Sequence, residues 1–308
     1  MDVLFFAEDE DAPAWADVLA SALPEARVHR FADGDKASCD YAVCWKPPAD
    51  FFHGQSCLKA IMNLGAGVDA ILDGRALPAG VPLVRVTDAG MGEQMEEYVA
   101  WCALRALRRT DDYARQQARS QWRQLPFTPR ASFSIGIMGL GVLGARVARY
   151  LVGMGFAVRG WSRSRQAIAG VTCHAGADER AAFLAASNLL VCLLPLTEAT
   201  RGILDRDLML GLPAGAHVVG IGRGGHLIEA DLLALLDNGH LAGATLDVFA
   251  AEPLPADSPL WRHPRITITP HISAQTVIEV SMRQIADKIR RIERGLPVDG
   301  LIDRVRGY

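Results

Sequence analysis

One run in the middle of the chain, Ser134-Ile-Gly-Ile-Met-Gly-Leu-Gly-Val-Leu-Gly-Ala-Arg-Val-Ala148, constrains the fold more than any other. The apolar stretch 135–138 reads as a buried strand. It stops at Gly139, and apolar residues at helical spacing (Val142, Leu143, Val147, Leu151) follow at once. The glycines at 139, 141 and 144 fit the pattern G-x-G-x-x-G between strand and helix. Gly139 allows the tight turn, Gly141 lets the backbone approach a pyrophosphate, and Gly144 packs the helix close to the strand. The unsatisfied amides and positive dipole end of the helix then favour phosphates. The pattern reads as a dinucleotide-binding turn, the alternative being a tight turn without ligand. It begins near residue 135 of 308, so the segment ahead of it is long enough to be a domain of its own.

Composition narrows the class. Half of the residues are hydrophobic and 22% are charged, the balance of a globular chain with a sizeable core. A net charge of −3 argues against nucleic acid as the main partner, since phosphate backbones require concentrated Lys and Arg. No apolar run approaches the ~20 residues that span a bilayer. The N-terminus turns acidic at Glu8 and lacks the basic start of a signal peptide. The six cysteines include no C-x-x-C pair, and most sit in apolar runs, which points to reduced thiols and a cytoplasmic protein. No spacing of His and Cys suggests a metal.

Strands are predicted at 3–7, 26–30, 41–45, 59–63 and 83–86, with a helix over 12–23. Alternation of strands and helices implies a parallel sheet. A long helix over 92–109 carries apolar Met95, Tyr98, Val99, Cys102, Leu104 and Leu107, and Arg105, Arg108 and Arg109 suit its C-terminal end. A second amphipathic piece is predicted over 111–122. Past the glycine turn come strands at 156–161, 171–174, 189–194, 218–221, 244–248 and 266–269, then a final helix over 275–294.

Ligands bind outside the strand ends of such sheets. Trp161-Ser-Arg-Ser-Arg165 closes the strand after the glycine turn. Ser162 stands where NAD-binding sheets place a carboxylate on the ribose 2′-hydroxyl. Here that carboxylate is missing and Arg163 and Arg165 follow, which favours a 2′-phosphate and so NADPH, with NAD as the alternative. Nearer the N-terminus, Leu64-Gly-Ala-Gly-Val-Asp69 reads as an anion-binding nest of amides or as a plain glycine turn. Trp45 either walls a substrate cleft or caps the core.

Three later loops supply one group each: Arg223 between glycines, Glu252 before Pro253, and His271 in Thr269-Pro-His-Ile-Ser273. Singly, each has a bland reading as a turn residue, a surface carboxylate and a packed histidine. Together they suit the reduction of a 2-oxo acid. Arg223, helped by the 64–69 loop, would hold the substrate carboxylate in two parallel hydrogen bonds. His271 would give a proton to the developing alkoxide, and Glu252 would favour the charged imidazolium.

In order along the chain, these residues resemble the D-isomer-specific 2-hydroxyacid dehydrogenases, closest to the glyoxylate/hydroxypyruvate reductase A branch of that family. The resemblance covers nearly the whole sequence: Leu64-Gly-Ala-Gly-Val-Asp69, Met91-Gly-Glu-Gln-Met-Glu-Glu-Tyr98, the glycine turn, Trp161-Ser-Arg163, Leu194-Pro-Leu-Thr197, Arg223-Gly224, Gly243-Ala-Thr-Leu-Asp-Val-Phe249, Glu252-Pro-Leu-Pro255 and Thr269-Pro-His271. It implies catalysis by Arg223, Glu252 and His271. The expected cofactor set is Gly139, Gly141, Val142, Leu143, Gly144, Trp161, Ser162, Arg163, Arg165, Leu194, Pro195, Thr197, Ile221, Gly222 and Asp247. The expected substrate set is Trp45, Leu64, Gly65, Ala66 and Gly67, with Arg223 and His271.

The resemblance also implies a two-domain α/β architecture and a homodimer. A Rossmann-type NAD(P)-binding domain, 99–277, would be inserted in a smaller flavodoxin-like substrate domain, 1–98 and 278–308. One departure is visible. The family usually carries Asn-x-Ala or Asn-x-Ser before the arginine, whereas Gly220-Ile-Gly222 stands here, and the lost side-chain contacts are expected to loosen Arg223. The expectation is an NADPH-preferring reductase of small 2-oxo acids, glyoxylate and hydroxypyruvate first, giving D-2-hydroxy acids. Two alternatives stand beside it. One is an NAD-dependent dehydrogenase of a bulkier D-2-hydroxy acid, its size limit set by Trp45 and Met91. The other is a dinucleotide-sensing binding protein of the corepressor kind.

Overall fold

Strands and helices alternate along the chain and sort into two units. The computed structural model describes residues 1–31, 38–72 and 77–308. One unit comprises Met1–Met91 and Thr276–Tyr308, the other Gly92–Gln275.

The first unit runs β1 (Asp2–Ala7), α1 (Ala12–Ala22), β2 (Arg27–Arg30), β3 (Tyr41–Trp45), β4 (Ala60–Asn63), α2 (Asp69–Leu72) and β5 (Leu83–Arg85). Among the described residues these strands form a five-stranded parallel sheet in the order β2-β1-β3-β4-β5, the flavodoxin-like order. β4 is buried along its length and β3 up to Trp45, as central parallel strands are. Leu4, Ala42, Phe51, Ile61, Ile71 and Leu83 share one apolar cluster. The C-terminal helix, Ile278–Glu293, packs on α1. It begins at 278 rather than 275 because Val277 is extended and packs against Gly90, where a Cβ would meet it at 3.0 Å.

The second unit opens with α3 (Met91–Arg108) and α4 (Thr110–Gln117). Met95, Val99, Cys102 and Ala103 of α3 lie in one cluster with Ile135, Val147 and Val219. The helix thus belongs to this unit along its length, and the chain passes between units at its start, not at 98. α4 ends at 117 instead of 122: Gln121 bonds back to the Gln116 carbonyl, and Trp122 beyond it is fully exposed and adds nothing to a buried face.

β6 (Ser134–Met138), α5 (Val142–Gly153), β7 (Ala157–Ser162), β8 (Val171–Ala175), α6 (Arg180–Ala185), β9 (Leu189–Cys192), α7 (Arg206–Leu210), β10 (Ala216–Gly220), α8 (Glu229–Asp237), β11 (Leu241–Leu246) and β12 (Ile266–Ile268) complete the unit. Among the described residues they make a seven-stranded parallel sheet, β12-β11-β10-β9-β6-β7-β8. Strand order reverses between β6 and β9, the crevice where doubly wound sheets take ligands. Side chains alternate as strands require. Ile135, Ile137, Leu189 and Val191 enter one cluster, while Met138, Leu190 and Cys192 enter another with Phe183, Leu232 and Leu246.

Among the described residues no helix is long and apolar enough to cross a membrane, no group of His, Cys, Asp and Glu could hold a metal ion, and the cysteines form no disulfide.

His217 on β10 ties stability to pH. Burial pushes its imidazole down from 6.5 to about 4, and Nδ1 is buried without a hydrogen bond. The unfolded chain takes up a proton here below pH 6.5 that the folded chain refuses until about 4. Stability is therefore complete above 6.5 and falls as pH drops toward 4, by about 2–3 kcal/mol at roughly 1.4 kcal/mol per unit. Urea unfolding at pH 7.5 and 4.5 should register this loss, and His217→Leu should reduce it by that amount.

Candidate active site

The glycine turn after β6 fits a dinucleotide. Gly139 has φ 100°, and a Cβ on it would lie 2.6 Å from the Leu193 carbonyl oxygen. At Gly144 a Cβ would lie 1.9 Å from the Gly139 oxygen. At Gly141 nothing lies within 4 Å. Two glycines let the chain close, and the third leaves the space a pyrophosphate needs. α5 has no side-chain cap, and its first backbone bond runs from Ala145 to the Gly141 oxygen at 2.9 Å. The amides of Val142, Leu143 and Gly144 are thus left at the positive end of the helix, with Val142 half-exposed and outside the core. Beside them, Thr200 Oγ1 donates to the Pro195 oxygen at 2.6 Å and accepts from Thr197 N at 2.8 Å, folding the Leu194–Thr197 segment at the switch point.

The turn after β7 corrects one expectation. Ser162 Oγ donates to the Ser164 oxygen at 2.8 Å, and the Trp161 indole donates to the Gly176 oxygen at 2.8 Å. Arg165, however, donates to the Cys173 oxygen at 2.9 Å and is ion-paired with Glu179, whose other oxygen accepts from Ala175 N. Arg163 beside it is exposed. The side chain of Ile221, at the end of β10, is buried in the core.

The three candidate catalytic residues follow three neighbouring strands, β10, β11 and β12. Arg223 lies just past β10 in extended backbone, and its Nη1 donates to the Gly222 oxygen at 2.8 Å. Gly224 packs against the loop after β11 with no room to spare: a Cβ would lie 1.8 Å from the Phe249 carbonyl carbon. Phe249 N in turn donates to Glu252 Oε1 at 2.9 Å, and the other carboxylate oxygen meets His271 Nδ1 at 2.8 Å. One continuous set of contacts thus runs from the arginine turn to the histidine. A carboxylate only accepts, so Nδ1 carries the proton and Nε2 is the ring nitrogen left to exchange one.

His271 sits at φ 55°, a left-handed conformation that costs a non-glycine residue on the order of 1 kcal/mol. Asp247 holds it there. Its backbone oxygen accepts from His271 N at 2.9 Å, and its carboxylate accepts from Thr269 Oγ1 at 2.5 Å and from Ile272 N and Ser273 N at 2.8 Å each. Tyr98, whose phenol burial pushes above its usual range, donates to Thr269 Oγ1 at 2.6 Å. Asp247 is 0% exposed. Expected from the sequence as a cofactor contact, it is the fastening of the histidine loop.

The glycine loop of the first unit has its own geometry. Asn63 Nδ2 donates to the Gly65 and Gly67 oxygens at 2.7 and 2.9 Å, and Arg85 Nη1 donates to the Ala66 oxygen at 2.9 Å. With those carbonyls held, the backbone of Gly65, Ala66 and Gly67 is fixed, and its amides are the groups an anion nest would use. Leu64 drops out, because it is buried and its amide donates to the Cys44 oxygen at 3.1 Å. Trp45 lies flat against the loop: a Cβ on Gly65 would come 2.3 Å from its ring. Sequence reasoning passed over Asn63, Arg85 and His226. The polar residue closing β4 and the one closing β5 were the available signal for the first two. For His226, which is 1% exposed, the signal was the lack of a side chain at Gly222.

Residues 100–273 match the family described as D-isomer specific 2-hydroxyacid dehydrogenase, NAD binding domain. Over 313 aligned residues, spanning 100% of both chains, the sequence is 47% identical to a glyoxylate/hydroxypyruvate reductase A of Salmonella heidelberg (strain SL476). A D-isomer specific 2-hydroxyacid dehydrogenase from Xanthobacter autotrophicus Py2, solved in complex with NADPH and MES, superposes with a TM-score of 0.94 at 39% identity, covering 100% of this chain and 99% of that one. An NADPH-dependent glyoxylate/hydroxypyruvate reductase from Sinorhizobium meliloti, in complex with NADP and sulfate, gives 0.92 at 38% identity with the same coverage.

The fastening role of Asp247 is open to measurement. Asp247→Ala strands three donors and releases a strained loop, and should cost about 3 kcal/mol or more in chemical denaturation. Glu252→Gln, at the exposed end of the same contacts, should cost less than about 1 kcal/mol.

Proposed function

The chain belongs to the D-isomer-specific 2-hydroxyacid dehydrogenase family, and on that premise we propose that it is an NADPH-preferring reductase of small 2-oxo acids, glyoxylate and hydroxypyruvate first, yielding D-2-hydroxy acids. The observation that carries the reading is the 2.8 Å His271–Glu252 pair, joined through Phe249 to the turn of Arg223. NADPH, when bound, supplies the hydride. Residues of the glycine turn and of the 162–163 and 194–197 segments would hold it.

Nε2 of His271 gives its proton to the substrate carbonyl oxygen as negative charge develops there. Glu252 accepts the Nδ1 hydrogen throughout, which fixes the ring. Arg223 presents its fork to the substrate carboxylate. In the first unit, the amides of Gly65, Ala66 and Gly67 form an anion-binding element of the same purpose, and Trp45 limits the size of what settles on them.

NADPH preference is supported by the NADPH and NADP complexes of the structural neighbours and by Arg163 in place of a carboxylate. The dehydrogenase of bulkier acids and the corepressor-like binding protein are not favoured, given full-length identity to a named reductase. A homodimer is part of the proposal: Trp101, Leu104, Trp122 and Phe127 leave large apolar surfaces exposed within a short span, as an association face does. So is a cytoplasmic location, which suits a chain whose cysteines form no disulfide among the described residues.

His271→Gln should lower kcat for glyoxylate by about 10²- to 10⁴-fold while the NADPH dissociation constant, read by nucleotide fluorescence, changes less than about twofold. Turnover at the wild-type rate would remove His271 from the mechanism. Arg163→Ala should lower kcat/KM for NADPH by roughly tenfold or more and leave NADH nearly unaffected, whereas Arg165→Ala should do much less. Equal effects of the two substitutions would refute the division of roles between them.

A further inference from the structure

We propose that His226 is the positioning residue for Arg223, its buried imidazole occupying, with Gly222, the place of the side-chain contacts missing ahead of that arginine. The inference rests on the carboxylate-binding role given to Arg223 above.

Arg223 N donates to His226 Nδ1 at 3.2 Å, so a ring nitrogen fixes the peptide plane from which the arginine side chain departs. The imidazole is itself enclosed. It is 1% exposed, and its main chain is anchored by His226 N to the Arg223 oxygen at 3.1 Å and by Leu204 N to the His226 oxygen at 2.8 Å. The Gly222 peptide matters equally, because its oxygen takes the Arg223 Nη1 hydrogen at 2.8 Å. Both bonds engage the single peptide unit joining 222 and 223, whose oxygen takes the arginine's own side chain and whose N–H bonds the histidine, so the plane from which the guanidinium departs is held on both edges.

Gly222 and His226 require each other. A Cβ on residue 222 would lie 3.2 Å from the ring Cε1, 3.3 Å from Nδ1 and 3.2 Å from the Cys192 oxygen. These are tighter approaches than an ordinary contact of 3.5–4.0 Å between carbon atoms, so a methyl there requires the ring to give by a few tenths of an ångström, at the expense of its bond to the Arg223 amide. The glycine that would loosen the arginine in isolation is what admits the ring that fixes it. Backbone freedom at Gly222 is exchanged for a part-buried hydrogen bond from the next residue's amide to His226, four positions on.

The test uses the full-length, NADPH-loaded enzyme, with glyoxylate kinetics and binding of oxamate, an unreactive 2-oxo acid analogue, read by fluorescence. His226→Leu fills the space but accepts no hydrogen bond. It should raise KM for glyoxylate and weaken oxamate by about tenfold, one hydrogen bond's worth, with kcat and NADPH affinity within about threefold of wild type. His226→Asn keeps an acceptor near the Nδ1 position and should recover most of the loss. Gly222→Ala should raise KM in the same direction but add little to His226→Leu, since the ring it displaces is then gone.

If His226→Leu fails to fold, Gly222→Ala and His226→Asn decide, the first expected to be impaired and the second near wild type. Unchanged KM and oxamate affinity in His226→Leu or Gly222→Ala overturn the proposal. So does a loss in His226→Leu that extends to NADPH binding and that asparagine does not restore, which would mark the histidine as merely structural. A wild-type enzyme that turns over no 2-oxo acid would bring down the functional reading and this inference together, whereas active wild type with an indifferent His226 removes the inference alone.

Discussion

The carboxylate of Asp247 is the one group on which the catalytic end of the sheet depends. It has no exposed surface, and it gathers Thr269 Oγ1, Ile272 N and Ser273 N while its own backbone oxygen takes His271 N. An ionised carboxylate in so dry a place is unfavourable unless its acceptor sites are filled. Here the donors come from the loop that must be bent, so satisfying the charge and bending the loop are a single event. Tyr98 extends the arrangement into α3 through Thr269, which connects the first helix of the unit to its last strand.

The order of strands explains how three residues far apart in sequence, proposed to serve one chemistry, come to lie on neighbouring loops. β10, β11 and β12 lie side by side, so the loops after them open at one edge of the sheet. Contact between those loops is then made by backbone: Gly224 against Phe249, Phe249 against the Glu252 carboxylate, and that carboxylate against His271. Any side chain at 224 would part the first two. The other half of the sheet repeats this logic for the nucleotide, where Gly139 closes on Leu193 across the point at which strand order reverses.

Much of this was legible in the sequence, because strong periodicity and glycine spacing are local signals. The glycine turn, the alternating strands, and the loops bearing Arg223, Glu252 and His271 all announce themselves within a dozen residues. What escaped was set by partners distant in the chain. Asp247 reads as a strand-end carboxylate until the 269–273 loop folds over it. Arg165 reads as a phosphate ligand until Glu179 is brought beside it by α6. Trp122 looked like part of a helix face, yet no element arrives to cover it. His226 had no recognisable setting because its meaning lies in the absence of a side chain at 222. The boundary between units was misjudged for the same reason, since an amphipathic helix does not say which sheet its apolar face will meet.

The His271–Glu252 pair lies at the surface of its unit, with the histidine side chain 44% and the carboxylate 36% exposed. As the proposed proton donor, a ring so placed is open to bulk water between turnovers. No buried relay of side chains has to be maintained behind it, and the fold is free to spend its buried polar groups on holding shape. On the proposed role of the histidine, the solvent is the second proton reservoir of the site.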